Sequence, residues 1–94
     1  MPPLFNIDVL TPEMIVYRGK IESLIVPAEF GYLGVLANHA SLIAHLVAGK
    51  IIIKDNSGAI LTFNSSGQGF IEVINNQATL ILDSVVSPLE KAIL

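Results

Sequence analysis

The sequence predicts an all-β domain arranged as a sandwich or barrel. Short apolar runs that alternate with a period of two recur along the chain, which is typical of half-buried strands. Val and Ile, which favour the pleated sheet, account for 21 of the 94 residues. Gly, Pro, Asn and Asp separate the runs at short intervals. A chain of 94 residues is long enough for one such domain.

The first strand is predicted over residues 4–10. Phe5, Ile7 and Val9 share one face of this run, while Asp8 lies on the other face. Pro12 ends the run because proline lacks the amide hydrogen that a sheet ladder needs. Two further β-rich runs are separated by a glycine and closed by a proline, at residues 14–18 and 20–26.

Two hairpins are predicted in the second half of the chain. Two β-branched runs, 50–54 and 59–63, flank a polar turn that contains Gly58. The second pair of runs, 70–74 and 78–82, is joined by Asn-Asn-Gln. Strands at this spacing are typical of a sandwich or barrel.

Two segments depart from this pattern. Residues 40–47 are compatible with either a helical turn or a strand, and their periodicity does not separate the two. The tail carries the signals of a helix start: Ser87 as the N-cap, Pro88 at the first helical position and Glu90 as the capping-box acid. We therefore expect a β-domain over residues 1–86 and a tail over 87–94 that starts a helix, too short to hold without tertiary support.

Composition excludes several classes of protein. Charged residues make up 14% of the chain, against about 25% in typical domains, and the net charge is −3. An acidic balance disfavours nucleic-acid binding, because phosphate would be repelled. Gly, Asn and His interrupt the uncharged run at 30–49, so a membrane span is not expected. The first residues lack a basic segment and Asp8 ends their apolar run early, so no signal peptide is expected either. A 52% hydrophobic content in so small a domain predicts surfaces that a partner covers.

No catalytic, cofactor or metal site is predicted. The two histidines, His39 and His45, lack carboxylates at ligand spacing, and the chain has no Cys. Residues 65–69 are rich in Ser and Gly but lack the Lys and following helix of a phosphate-binding loop. A hydrolase would have to rely on His39 with Ser41 or Ser65. Glu72 shares a strand face with apolar residues, which favours a partner-facing charge.

Residues 26–40 are predicted to form a long loop that serves as a docking surface. Phe30, Tyr32 and Leu33 lie where a solvated loop would be polar, and Gly31 and Gly34 supply turns. The alternative is that the aromatic side chains fold back onto the domain as a lid. A small-ligand-binding protein with a pocket beneath residues 30–38 is therefore the second candidate function.

Two motifs resemble a known family. Gly-x-Leu-Gly-Val-Leu-x-x-His-Ala at residues 31–40 and Gly-Phe-Ile-Glu-Val at 69–73 are similar to the epsilon subunit of F-type ATP synthases. With Thr-Pro-Glu at 11–13 and Val-Pro at 26–27, the resemblance extends over residues 5–84.

The resemblance implies a flattened sandwich of about ten strands and a subunit without chemistry of its own. Such a subunit belongs to the rotating central stalk, contacts the gamma subunit and the c-subunit ring, and transiently meets the catalytic alpha/beta head. It couples ion flow to ATP synthesis at the cytoplasmic face of the bacterial inner membrane, without a cofactor, nucleic acid or direct membrane insertion. Whether H⁺ or Na⁺ drives it is set in the ring.

The resemblance also assigns residues to two interfaces. The residues implied at the gamma interface are Thr11, His39, Ala40, Leu42 and Ile43. Those implied at the c-ring interface are Glu29, Phe30, Gly31 and Tyr32. The family often has an acidic residue in place of Tyr32 and a glycine in place of Asn38, and Gln68 replaces the first glycine of a pair. Many members of the family continue into a C-terminal helical hairpin with a nucleotide-binding motif. This sequence has no counterpart of that motif, so inhibition of ATP hydrolysis and ATP sensing are not expected.

Overall fold

Nine strands make up the secondary structure of the residues described, 2–85 and 90–92, in a computed structural model of the chain. Within these residues, no helix long and apolar enough to cross a membrane is found. In chain order the strands are β1 Phe5–Leu10, β2 Ile15–Ala28, β3 Gly31–Leu36, β4 Leu42–Leu46, β5 Gly49–Asp55, β6 Ile60–Ser65, β7 Gly69–Ile74, β8 Gln77–Leu82 and β9 Glu90–Ala92.

The long strand β2 belongs to two layers. Its first half pairs antiparallel with β1. Strand β1 also pairs in parallel with β8, β8 pairs antiparallel with β7, and β7 pairs antiparallel with β4. We call this set of strands the β7 layer. Its second half pairs with β3 and with β5, followed by β6 and β9; we call this set the β5 layer. The register with β5 shifts between Ile21 and Ser23, so an irregularity lies where β2 passes between the layers.

A single hydrophobic core lies between the layers. Ile7 of β1 and Ile71 of β7 come from one layer, Ile51 of β5 and Phe63 of β6 from the other, and all are almost completely buried. The alternation predicted for β1 is confirmed, since Phe5, Ile7 and Val9 are buried. Their burial in one cluster is what holds the two layers together.

Both predicted hairpins are confirmed. The turn between β5 and β6 is held by the Asp55 carboxylate, which accepts hydrogen bonds from the backbone N–H groups of Ser57 at 2.9 Å and Ala59 at 3.0 Å. Between β7 and β8, Asn75 and Asn76 have φ of 49° and 61°. Positive φ at both central residues matches the twist of a two-residue hairpin, and Asn tolerates it.

Two predictions about the ends of elements are wrong. The resemblance implied about ten strands, whereas the described residues contain nine. The runs predicted before and after Gly19 form one continuous strand, β2, which also includes Pro27. The C-terminal helical start is also wrong, since Glu90–Ala92 pairs antiparallel with β6 over Ile60 to Thr62. Pairing with the open edge of β6 satisfies backbone groups that a short helix would leave free. Residues 87–89, which include the expected cap, lie outside the described residues.

Segment 40–47, for which helix and strand were both open, contains strand β4. The β4 register with β7 runs from Leu42 opposite Val73 to Leu46 opposite Gly69. Leu46 is fully buried, and Leu42 is half-buried against the core. Tertiary pairing therefore decides a segment whose local periodicity was ambiguous.

Tyr17 gives the domain an expected sensitivity to alkaline pH. Burial, followed by the nearby charge of Asp55, raises the pKa of the Tyr17 phenol above its usual value of about 10. Since the folded state holds this proton more tightly, its stabilising effect is complete below the unfolded pKa and is lost as pH rises through the folded pKa. We expect Tyr17→Phe to reduce the fall in melting temperature above about pH 10. Thermal unfolding across alkaline pH measures this, and an unchanged fall would contradict it.

Candidate functional site

A tight hairpin projects from one end of the sandwich. Ala28 of β2 pairs with Gly31 of β3, so Glu29 and Phe30 form the turn, and Gly31 has φ of +130°. Phe30 is 76% exposed and Tyr32 is 62% exposed. The predicted long loop is therefore wrong, because most of it is strand β3. The lid alternative is wrong for Phe30, whose side chain points to solvent, whereas Tyr32 reaches back far enough for its hydroxyl to accept a hydrogen bond from the Lys50 N–H at 3.5 Å.

A second exposed apolar surface covers the outer face of the β7 layer. Strand pairing brings together Phe70 with Ile81, and Ile43 with Glu72. By alternation Ile74 lies on the same face as Phe70. The exposed fractions are 73% for Ile43, 54% for Phe70, 46% for Ile74 and 54% for Ile81. We call these four side chains the β7 face.

A carboxylate lies in the middle of the β7 face. Glu72 is exposed, stands opposite Ile43 on β4 and Thr79 on β8, and forms no ion pair with the side chains described between residues 2 and 85. A shallow groove of about 310 Å³ runs beside it between β4 and β7, lined by Ser41, Leu42, Ile43, Glu72, Val73 and Ile74. An acidic group inside an apolar surface sets a charge requirement for whatever covers that surface.

The edge of the β7 layer is polar. Arg18 Nε of β2 donates to Asp8 Oδ1 of β1 at 2.8 Å, and Arg18 also donates to Asp8 Oδ2 at 3.3 Å. The hydrogen bond and charge of Asp8 raise the pKa of the Arg18 guanidinium. An apolar surface with charged residues at its border is typical of a protein–protein interface.

The residues implied at a gamma interface do not form one cluster. Ile43 is the most exposed member of the β7 face, whereas neighbouring Leu42 points inward. His39 and Ala40 lie in the connection between β3 and β4. Thr11 lies at the far end of the layer, in a turn where its N–H donates to Met14 O at 2.9 Å.

The connection that contains His39 is fixed to the β7–β8 turn. The Asn38 N–H donates to Asn76 Oδ1 at 2.7 Å, and Asn76 Nδ2 donates to Leu4 O at 3.0 Å. Asn38 has φ of 62°, a conformation that suits Gly and that Asn tolerates. Asn38 can therefore replace the glycine that the family often has at this position without steric conflict.

The residues implied at a c-ring interface do lie together in the hairpin, and the structure adds a histidine beside them. His45 Nδ1 lies 3.2 Å from Glu29 Oε2. Sequence reasoning had left His45 without a role. It had also missed Phe70, Ile74 and Ile81 as a surface; the available signal was that each occupies the outward position of an alternating run.

The geometry does not assemble a hydrolase. His39 Nδ1 lies 2.7 Å from the carbonyl oxygen of Ala40, and the Ser65 hydroxyl donates to Gly67 O at 3.2 Å. In the part of the chain that the structure describes, no group of three or more His, Asp or Glu could hold a metal ion. The fold instead exposes two apolar surfaces, the hairpin and the β7 face. These surfaces are typical of a small β-sandwich that docks on other proteins.

Comparison with known proteins identifies the family to which this sandwich is similar. The profile described as "ATP synthase, Delta/Epsilon chain, beta-sandwich domain" matches residues 4–88. The ATP synthase epsilon chain of Leptospira borgpetersenii is 41% identical over 83% of this chain and 60% of its own length. That of Chlorobaculum tepidum is 37% identical over 86% of this chain and 91% of its own length.

The fold likeness extends further than the sequence likeness. A chain in the structure of the Euglena gracilis mitochondrial ATP synthase (OSCP/F1/c-ring) superposes with a TM-score of 0.83. The likeness covers 92% of this chain and 54% of that one, at 17% identity. The chain belongs to the delta/epsilon family of ATP synthase subunits and contains its β-sandwich domain. It spans about 60% of the length of the Leptospira epsilon chain.

Proposed function

We propose that the chain is a non-catalytic subunit of the central stalk of an F-type ATP synthase. In this role it docks on the gamma subunit and on the ring of c subunits, and helps couple ion translocation to ATP synthesis. Family membership over residues 4–88 is the observation that carries this proposal. The site of action is peripheral, at the face of the membrane that bears the catalytic head, which in bacteria is the cytoplasmic face of the inner membrane.

The β7 face is the proposed docking surface for gamma. It contains four of the ten large hydrophobic side chains that the described residues expose. Ile43 links it to the residues that the family resemblance assigns to gamma. His39, Ala40 and Thr11 border it at opposite ends, so they belong to the rim of this interface. Burial of such side chains on binding provides most of the affinity of an interface of this kind.

The hairpin at residues 29–32 is the proposed contact with the c ring. Its turn exposes one acid, Glu29, and two aromatic side chains, Phe30 and Tyr32. Since Tyr32 occupies a position where the family often has an acid, Glu29 supplies the negative charge of this surface. The hairpin therefore offers both charge and apolar area to the polar loops of the ring.

Reconstitution tests the proposal. The purified chain should co-elute with gamma in size-exclusion chromatography and restore ion-coupled ATP synthesis in a synthase depleted of its epsilon subunit. Failure of both assays would contradict the proposed function. A small-ligand-binding role is not favoured, because the family match over residues 4–88 supports a stalk subunit and the groove beside Glu72 is open to solvent.

Phe30 provides a specific test of the hairpin contact. Phe30→Ser should weaken association of the gamma-bound chain with purified c ring by about tenfold, since truncation of an interface aromatic often costs more than 1 kcal/mol. Stability of the isolated chain should be unchanged, because Phe30 is 76% exposed. The matched control is Leu36→Ser at the opposite end of β3, where the side chain is 63% exposed. Equal losses in both variants would refute a contact specific to the hairpin.

A further inference from the structure

A side-chain contact adds to the backbone bonds that join the hairpin to β4. The Glu29 N–H donates to His45 O at 2.9 Å, and the Val47 N–H donates to Pro27 O at 2.9 Å. Glu29 Oε2 then lies 3.2 Å from His45 Nδ1. The same two residues therefore contact each other through both main chain and side chain, at the base of the exposed turn.

His45 is the fixed member of this pair. Its ring packs against Phe70 with centroids 5.3 Å apart and planes tilted by 46°. The side chain of His45 is 30% exposed, whereas that of Glu29 is 71% exposed. An exposed carboxylate is otherwise free to sample many rotamers, so the packed imidazole is what limits Glu29.

Among the described residues, the charged side chains of β4, β7 and the β2–β3 turn that lie near the imidazole are acidic. Glu29 approaches from the turn, and Glu72 of β7 lies diagonally across the pair formed by His45 and Phe70. Strand β4 itself, strand β7 and the end of β2 carry no Lys or Arg here. Lys50 of β5 lies on the outer face of the other layer, by alternation with buried Ile51. Protonation of the imidazole thus converts the contact between a neutral ring and the Glu29 carboxylate into an ion pair, with no Lys or Arg on these elements to compete for the carboxylate.

We propose that His45 is a positioning residue that holds Glu29, and with it the turn of the hairpin, more firmly when the imidazole is protonated. That the hairpin contacts the c ring rests on the proposed function. The positioning itself does not, because it is a property of the isolated chain. The order of the ring-facing surface therefore depends on whether the His45 imidazole is protonated.

Amide hydrogen exchange followed by NMR on the 94-residue chain tests this. The reporter is the Glu29 amide, whose bond to His45 O closes the base of the turn. We expect its protection factor, corrected for intrinsic exchange, to be about two- to fivefold higher at about pH 5 than at about pH 8. A change of this size corresponds to the strength of an exposed ion pair. His45→Gln, which keeps a neutral donor, and Glu29→Gln should each abolish this difference.

His39→Ala is the matched control. It removes the other histidine, whose Nδ1 contacts the Ala40 carbonyl oxygen, and should leave the pH dependence at Glu29 intact. Protection that does not change with pH, or that changes equally in His45→Gln, would overturn the proposal. Because no partner is present in the experiment, its failure leaves the gamma co-elution result untouched, and the two ideas fail separately.

Discussion

Ile43→Asp should weaken binding of the chain to gamma by at least about 30-fold, which corresponds to the roughly 2 kcal/mol that defines a hot spot. The side chain is 73% exposed on the β4 side of the β7 face, opposite Glu72. A carboxylate placed there would be buried without a partner and beside another acid, and both effects oppose association. Titration calorimetry with purified gamma measures the change.

The fold should tolerate this substitution. Since Ile43 points to solvent, the melting temperature of Ile43→Asp should stay within a few degrees of the unmodified chain, as is usual for surface changes. Neighbouring Leu42 is a poor test by comparison: it packs against the core, so an acid there would destabilise the domain as well as any interface.

Leu36→Asp is the matched control for charge and size. Leu36 is 63% exposed and pairs with Ser23 on the outer face of the β5 layer. Its substitution should leave gamma binding within about twofold of the original, since the additive effect of a remote surface charge is small. Equal loss of affinity in both variants would show that gamma does not use the β7 face. Unchanged affinity in Ile43→Asp would show the same.

Local sequence patterns predicted the parts of the fold that depend on local chemistry. The alternation of Phe5, Ile7 and Val9 identified the buried face of β1, and Asn75 with Asn76 identified a hairpin turn. Such features need only the period of a strand and the conformational tolerance of Asn.

Features that depend on distant pairing were not predicted. Gly19 and Pro27 suggested strand ends, yet both lie inside β2, because β1 on one side and β3 on the other supply enough pairing to override them. Likewise the tail pairs with β6 although Pro88 and Glu90 favour a helix. Local propensities of this size are routinely outweighed by tertiary contacts.

The candidate site divides in the same way. Residues 29–32 are contiguous, so a motif was enough to bring them together. The β7 face combines β4, β7 and β8, and its composition depends on which residues stand opposite each other. A shift of one residue in any register would turn Ile43 or Ile81 inward. The high apolar content predicted a covered surface, but only the register determines where that surface lies.

Gly69→Ala should destabilise the domain by about 3 kcal/mol, the upper range for forced overpacking. Gly69 stands between Leu46 of β4 and Leu82 of β8. A Cβ at this position would lie 2.3 Å from the backbone oxygen of Ile81 and 3.1 Å from Leu82 Cδ2. Backbone atoms cannot rotate away, so β7 and β8 would have to separate.

Gly69→Ala should lower both the stability of the domain and its binding to gamma. For a domain of this size, 3 kcal/mol lowers the melting temperature by about 15 °C, as measured by calorimetry. Phe70 follows Gly69 directly, and Ile81 provides the obstructing oxygen, so any movement of the strands also displaces two members of the β7 face. Gly34→Ala in β3 is the control, because its Cβ would meet no atom within 4 Å. It should change stability by no more than about 0.5 kcal/mol. If both alanines were tolerated equally, the close approach of β7 and β8 at Gly69 would not be what makes glycine necessary there.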